Sequence, residues 1–271
     1  MIKQLVVGTA IGRVAMRARD LIEVCQAVYS SPESAGTLLN DQAATRLVVS
    51  LCRPGASFID VGAHIGSVIS AVYDHDKSIG VIAVEAIPEK VEKLRRKFPK
   101  AQIHGCAVGE SEGEVSFFVD LKQSGYSSLG HRADDGTHGI VQITVPMRCL
   151  NDLVTASDVD VIKIDVEGAE LGVLRGGDAV VSRCRPVIMF ESAPPQDDGL
   201  GYSKPAMWDW LADHGYQVLV PNRVAHDGPE LSRESFVESH FYPRRTTNYF
   251  AIPAERRVEI RDRARKILKI G

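Results

Sequence analysis

From Phe58 onward the chain alternates short apolar runs with stretches of helical periodicity, the pattern of strands that cross over through helices into a parallel sheet. The runs predict strands at Phe58–Val61, Val81–Glu85, Gln102–Cys106, Val161–Asp165, Pro186–Glu191, Gln217–Val220 and Asn248–Ile252. Two further β-branched runs, Gly113–Asp120 and Val141–Met147, predict an inserted antiparallel pair joined by a stretch, Gln123–Gly139, rich in Gly, Ser, His and Asp. A loop of that length without its own periodicity is more often a lid or binding loop than filler. Upstream, the segment from Val14 fits an amphipathic helix with Val14, Leu21, Val24 and Val28 on one face, packed on the domain or on a partner chain. The fold class is therefore α/β: a Rossmann-like, doubly wound, seven-stranded and mostly parallel sheet with an inserted β-hairpin. Residues 1–40 are an N-terminal helical extension and residues 41–271 the principal domain.

Length and composition narrow this only slightly. The 271 residues suit one core with additions, and 44% hydrophobic with 25% charged residues is ordinary globular composition. With 32 basic and 35 acidic residues the net charge is −3, too balanced to steer the molecule onto nucleic acid. The apolar start is cut by Lys3, Arg13 and Arg17, well short of the ~18 residues of a membrane span. Cys25, Cys52, Cys106, Cys149 and Cys184 are odd in number and lack a C-x-x-C pair, which predicts reduced thiols and a cytoplasmic protein. The basic tail Glu255–Lys269 reads as a solvated helix.

The candidate chemistry sits at predicted strand ends, where such sheets bind ligands. Phe58-Ile-Asp-Val-Gly-Ala-His-Ile-Gly66 is a buried strand entering a glycine-marked turn, and Gly62 and Gly66 let backbone approach a ligand that a Cβ would block. Its G-x-x-x-G spacing is neither the G-x-G-x-x-G of a dinucleotide fold nor a P-loop. Glu85 ends the next strand, placed to accept hydrogen bonds from both hydroxyls of a ribose. A ribose without a pyrophosphate cradle points to an adenosyl ligand. Small residues at Cys106 and Ala107 suit the wall of a flat ring. Lys163, Asp165, Glu167 and Glu170 crowd one strand end. A buried lysine needs a partner, and Asp165 or Glu167 is the expected one. Tyr202, Trp208, Trp210, Phe241 and Tyr242 offer stacking surfaces for an acceptor or, for the tryptophans, core packing; His226 and His240 read as solvated loop histidines.

In order, D-V-G-A-x-x-G (Asp60–Gly66), V-E-A-x-P (Val84–Pro88), A-V-G (Ala107–Gly109), Y-S-S-L (Tyr126–Leu129), I-K-I-D-V-E-G-A-E (Ile162–Glu170) and P-V-I-M-F-E (Pro186–Glu191) resemble the FkbM family of methyltransferases. The resemblance runs from about Asp41 to Glu191 and weakly beyond. It implies S-adenosylmethionine as cofactor and O-methylation of a hydroxyl on a small molecule of sugar, glycolipid or polyketide type. Asp60, Gly62, His64, Gly66, Glu85, Ala86, Ala107, Val108, Ser127 and Asp165 are then the expected cofactor residues, with Asp165 and Glu167 catalytic. His64 stands where the family often has Asn. Tyr126, Ser127 and Ser128 are expected to close over cofactor and acceptor. A divalent metal held by Asp165 and Glu191 is weighed and not favoured, because no third ligand announces itself. The rival readings are an NAD-dependent oxidoreductase, which the glycine spacing opposes, and a cofactor-binding protein without turnover. The expected partners are a small hydroxylated molecule and another copy of the chain, with no nucleic acid and no membrane span.

Overall fold

A computed structural model describes residues 10–120, 140–192, 202–241 and 244–270. The described residues begin with two helices, α1 (Ala10–Ser30) and α2 (Pro32–Ser50), then enter the sheet through β1 (Ser57–Val61), α3 (Ser67–His75), β2 (Gly80–Glu85), α4 (Pro88–Lys97) and β3 (Gln102–Gly105). A short β4 (Ala107–Val108) precedes the paired β5 (Gly113–Asp120) and β6 (Ile140–Arg148). The second half runs α5 (Leu150–Leu153), β7 (Val159–Ile164), α6 (Glu170–Gly176), α7 (Asp178–Cys184), β8 (Val187–Glu191), α8 (Lys204–Asp213), β9 (Tyr216–Leu219), α9 (Arg233–Glu238), β10 (Asn248–Pro253) and α10 (Arg257–Leu268).

Seven strands form one mixed sheet in the order β3-β2-β1-β7-β8-β10-β9. β10 is antiparallel to both its neighbours, and the pairs from β3 to β8 are parallel. Side chains alternate between two hydrophobic clusters, as strand geometry requires. Phe58, Val161, Val187 and Met189 face one cluster with side chains of α2, α3, α4 and α10, including Leu47, Ile69, Leu94 and Ile260. Ile59, Ile162, Ile164, Ile188 and Phe190 face the other, with Val173, Val181, Leu211 and Phe236 from α6, α7, α8 and α9. Because both faces are covered, the central strands read in sequence as unbroken apolar runs.

Three expectations need correction. The third predicted strand does not run to Cys106: β3 stops at Gly105, and β4 belongs to a separate three-stranded sheet in which β6 pairs in parallel with β4 and antiparallel with β5. The basic tail is not merely solvated, since α10 buries Ile260 and Ala264 in the core and Arg256 reaches the fully buried Asp160 at 2.8 Å. The predicted apolar face of the N-terminal helix presents Leu21 and Val28 to solvent, and only Val24 at its edge is partly buried. Helix α2 runs through position 40 and is tied to the start of β10 by Asp41, whose Oδ1 accepts hydrogen bonds from Thr246 Oγ1, Thr247 N and Asn248 Nδ2 at 2.8 to 3.1 Å. No helix among the described residues is long and apolar enough to cross a membrane.

Candidate active site

The carboxyl ends of β1, β2, β7 and β8, closed on one side by β4, surround a cleft of about 380 Å³. Its floor is the turn after β1. Gly62 and Gly66 both adopt positive φ, 82° and 76°. A Cβ on Gly62 would lie 1.9 Å from the Asp165 carbonyl oxygen, and one on Gly66 would lie 2.3 Å from the Phe98 ring, so the turn can pass between β7 and α4 only with glycine at both places. His64, between them, is also left-handed at φ 51°. Asn and His are among the few non-glycine residues that tolerate that conformation, which accounts for His where the family often has Asn.

The strained turn has a purpose for Glu85. The His64 N–H donates to Glu85 Oε2 at 2.8 Å, and the Ile87 N–H donates to Oε1 at 2.9 Å. Burial pushes the Glu85 carboxyl above its ordinary range, opposed by Lys90 and by the two backbone donors. Each carboxylate oxygen keeps a second lone pair, so the group can still accept from a vicinal diol. Ala86, Cys106, Ala107 and Val108 continue the wall beside it. Burial pushes the Cys106 thiol up to about 11, so it is a neutral, small wall residue at neutral pH. Sequence reasoning missed Lys90, a nearly buried lining residue in the first turn of α4 whose ammonium burial disfavours and Glu85 supports.

Opposite lies the charged end of β7. Lys163 pairs with Asp60 Oδ1 and Asp165 Oδ2, each at 3.2 Å, and donates to the Gly62 carbonyl oxygen at 2.9 Å. The expected partner Asp165 is there; Glu167 is not the alternative, and Asp60 was overlooked. Its signal is in the register, because Asp60 and Lys163 are directly opposed on adjacent parallel strands, with both side chains on one face. Burial disfavours the Lys163 ammonium, yet Asp165 and Asp60 together outweigh it and hold the group firmly charged. Asp60 is fully buried, its carboxyl pushed up by desolvation against the pull of Lys163, and neither oxygen finds a well-aligned hydrogen-bond donor among the described residues.

Glu167 follows at φ 50°, a left-handed conformation with no turn-favouring side chain to excuse it, and Gly168 after it is at φ 99°. Glu170 turns back to accept from the Gly168 N–H at 2.8 Å and is buried, so it braces this loop instead of entering the cleft. Glu191 ends β8 beside Asp165. Burial, then the negative charge of Asp165 and Glu167, pushes its carboxyl up to about 8. Among the described residues no group of three or more His, Cys, Asp or Glu side chains is arranged to hold a metal ion.

The other candidates among the described residues do not line the cleft. Trp208 donates to the Leu231 carbonyl at 3.0 Å, and Trp210 stacks on His214. His240 is not solvated: it is buried between Tyr249 and Phe236, bonded to the Phe236 carbonyl and to Ser192 Oγ, each at 2.8 Å, with desolvation pulling its pKa down to about 4. Tyr126, Ser127, Ser128 and Tyr242 lie outside the described residues.

A profile of the methyltransferase FkbM domain matches residues 60–218, from the buried Asp60 through every wall of the cleft. The chain belongs to the FkbM methyltransferase family. A crystal structure of the methyltransferase FkbM from Methylobacillus flagellatus KT shares the fold, with a TM-score of 0.50 and 16% identity over 88% of this chain and 60% of that one. The AMB antimetabolite synthetase AmbE of Pseudomonas aeruginosa is 24% identical over 217 residues, 65% of this chain. This chain spans a tenth of that protein's length and less than two thirds of the Methylobacillus chain. As an FkbM member, the chain carries an S-adenosylmethionine-dependent methyltransferase domain on an α/β fold with a seven-stranded mixed sheet and helical extensions.

Proposed function

We propose that the chain is an O-methyltransferase, using S-adenosylmethionine to methylate a hydroxyl of a small molecule of sugar, glycolipid or polyketide type, on a Rossmann-like doubly wound sheet. The observation that carries the reading is the division of one cleft into a carboxylate placed to accept from a diol, Glu85, and an opposed acidic strand end, Asp165 and Glu167 with the protonated Glu191 beside them. The residues fit the cofactor: Glu85 would hold the ribose hydroxyls, Cys106, Ala107 and Val108 would wall the adenine, and the turn Gly62–Gly66 would admit the methionine end close to backbone. When bound, the cofactor supplies an electrophilic methyl group on a cationic sulfur.

What the protein adds is alignment and a base. An in-line displacement depends on holding donor carbon and acceptor oxygen close, which is a matter of position. Asp165 is fixed by Lys163 at 3.2 Å, so it orients and offsets charge. Glu167 lines the cleft and is the carboxylate assigned to draw the proton from the acceptor hydroxyl, a contribution of about 10²–10⁴-fold. No step needs a divalent ion. The reading places the protein in the cytoplasm and gives it no nucleic-acid partner, in line with its net charge of −3.

Calorimetric titration with S-adenosylhomocysteine, with NAD as a control, tests the cofactor class. Binding of S-adenosylhomocysteine by the wild type, lost in Glu85→Ala, is expected; preference for NAD returns the oxidoreductase reading. Glu167→Ala should keep cofactor affinity and lose turnover on hydroxylated acceptors, and a wild-type rate in that variant ends the base assignment.

A further inference from the structure

From Ala18 on, helix α1 carries an apolar seam that enters neither hydrophobic cluster of its own domain. In sequence Ile11, Val14, Ala18, Leu21, Cys25 and Val28 follow an unbroken alternation of three and four residues, the a and d spacing of a helix pair. The face of α1 turned toward α2 is a different one: Asp20, Glu23, Val24 and Ala27 are partly buried, and the Asp20 carbonyl accepts from Gln42 Nε2 at 2.9 Å. Neither core cluster draws a side chain from α1 among the described residues. On the seam and its edge Leu21, Ile22, Val28 and Tyr29 are 66%, 55%, 57% and 93% exposed, and Leu39 on the neighbouring helix α2 is 51% exposed.

We propose that this seam is a dimerisation surface on which α1 of a second copy packs about a two-fold axis, joining two α1–α2 hairpins into a four-helix bundle. Area supports that occupant. Five side chains so exposed offer on the order of 600 Å², the largest patch a monomer ordinarily leaves bare, and two copies together reach the ~1,200 Å² at which stable interfaces begin. A self-complementary stripe on one helix is what a two-fold contact needs, because the same residues then serve both sides. Charge gives a lipid surface little to hold: α1 carries three arginines, Arg13, Arg17 and Arg19, against Asp20 and Glu23, an excess of one. Arg19 is bound to Asp20 at 2.7 Å and to Glu23 at 3.2 Å, so it is not held out for anionic headgroups, and a single net positive charge is far from a strongly basic face. The inference is independent of the methyl-transfer reading.

Sedimentation equilibrium of the full chain across the micromolar range tests it. The wild type should have twice the 29.6 kDa mass of one chain, and Leu21→Glu with Val28→Glu should halve the observed mass while leaving the thermal midpoint and S-adenosylhomocysteine affinity unchanged. Should that variant fold poorly, Ile22→Ser with Tyr29→Ser adds no charge and should weaken the dimer about tenfold or more. A monomeric wild type overturns the proposal, as does a dimer that survives both variants. A wild type that stays monomeric and pellets with phosphatidylserine vesicles would overturn it in favour of a membrane-surface helix.

Discussion

Strand β7 carries two buried charges three positions apart, Asp160 and Lys163, and they end in opposite electrostatic situations. Asp160, toward the amino end, is fully buried and meets cations in excess: it accepts from the Arg53 N–H at 2.9 Å and pairs with Arg53 Nε at 3.1 Å and Arg256 Nη2 at 2.8 Å, with Arg263 at 3.8 Å. Those arginines are themselves tied off, Arg256 and Arg263 to Glu259 and Arg256 also to the Arg185 carbonyl. Lys163, toward the carboxyl end, meets anions in excess. The cleft above it is lined by Lys163 and Lys90 against Glu85, Asp165 and Glu167, with Asp60 behind and the protonated Glu191 at its rim. The first network is closed by the protein alone and fastens α10 to the sheet. The second is left negative, and on the proposed function a cationic ligand would complete it.

The largest effects should come from removing each central charge. Asp160→Ala strands the arginines, and Lys163→Met strands a fully buried Asp60; breaking a buried network by one partner costs about 3–5 kcal/mol. Both variants should unfold at lower denaturant. Only Lys163→Met should also lose cofactor affinity, measured on the folded fraction. If Asp160→Ala weakens S-adenosylhomocysteine binding as much, the two ends are not independent and the comparison fails.

A smaller, sharper effect separates cation from neutral analogue. Asp165→Asn removes one negative charge facing the cleft from a side chain that is 35% exposed. S-adenosylmethionine should lose roughly tenfold more affinity than S-adenosylhomocysteine, whose sulfur carries no charge. Equal losses for the two ligands would mean that the anionic end does not read the sulfonium.

Acidity offers a third test. Glu191, pushed up to about 8 by burial and then by Asp165 and Glu167, keeps its proton at neutral pH. Its folded pKa is raised, so its contribution to stability is full below the ordinary carboxylate range and is lost as pH rises through about 8. A bound cation favours the ionised form. Binding of S-adenosylmethionine should therefore release protons near pH 7 and tighten several-fold toward pH 9, while S-adenosylhomocysteine stays nearly flat. Titrations in buffers of different ionisation enthalpy would detect the release, and Glu191→Gln should abolish it. A proton release common to both ligands would assign it to some other group.

The sheet was legible in the sequence because burial on both faces turns central strands into apolar runs, and the glycine turn was legible because only glycine fits there. What escaped depends on register and backbone conformation. Asp60 opposes Lys163 across strands far apart in sequence, and no local pattern announces such a pairing. Cys106 ends an apolar run by composition, yet its backbone N–H bonds to the Glu85 carbonyl at 3.1 Å as the chain leaves one sheet for another. His240 looked solvated because the rings that cover it come from α9 and β10 and its hydroxyl partner, Ser192, follows β8.

Backbone conformation also sets the smallest predicted effect. Glu167 sits at φ 50°, where a side chain with a Cβ and no local hydrogen-bonding habit costs of order 1 kcal/mol, and such strain persists only where the surroundings enforce it. Glycine meets no such penalty, though it gives back part of the gain through its freer unfolded chain. Glu167→Gly should therefore be neutral to stabilising by up to about 1 kcal/mol in urea melts, while turnover falls as far as in Glu167→Ala. By contrast, Asp160, at the closed end of β7, has no substitution expected to raise stability. A clear destabilisation by Glu167→Gly would show that this carboxylate supports the fold, as Asp160 does, and would move it from the open end of the comparison to the closed one.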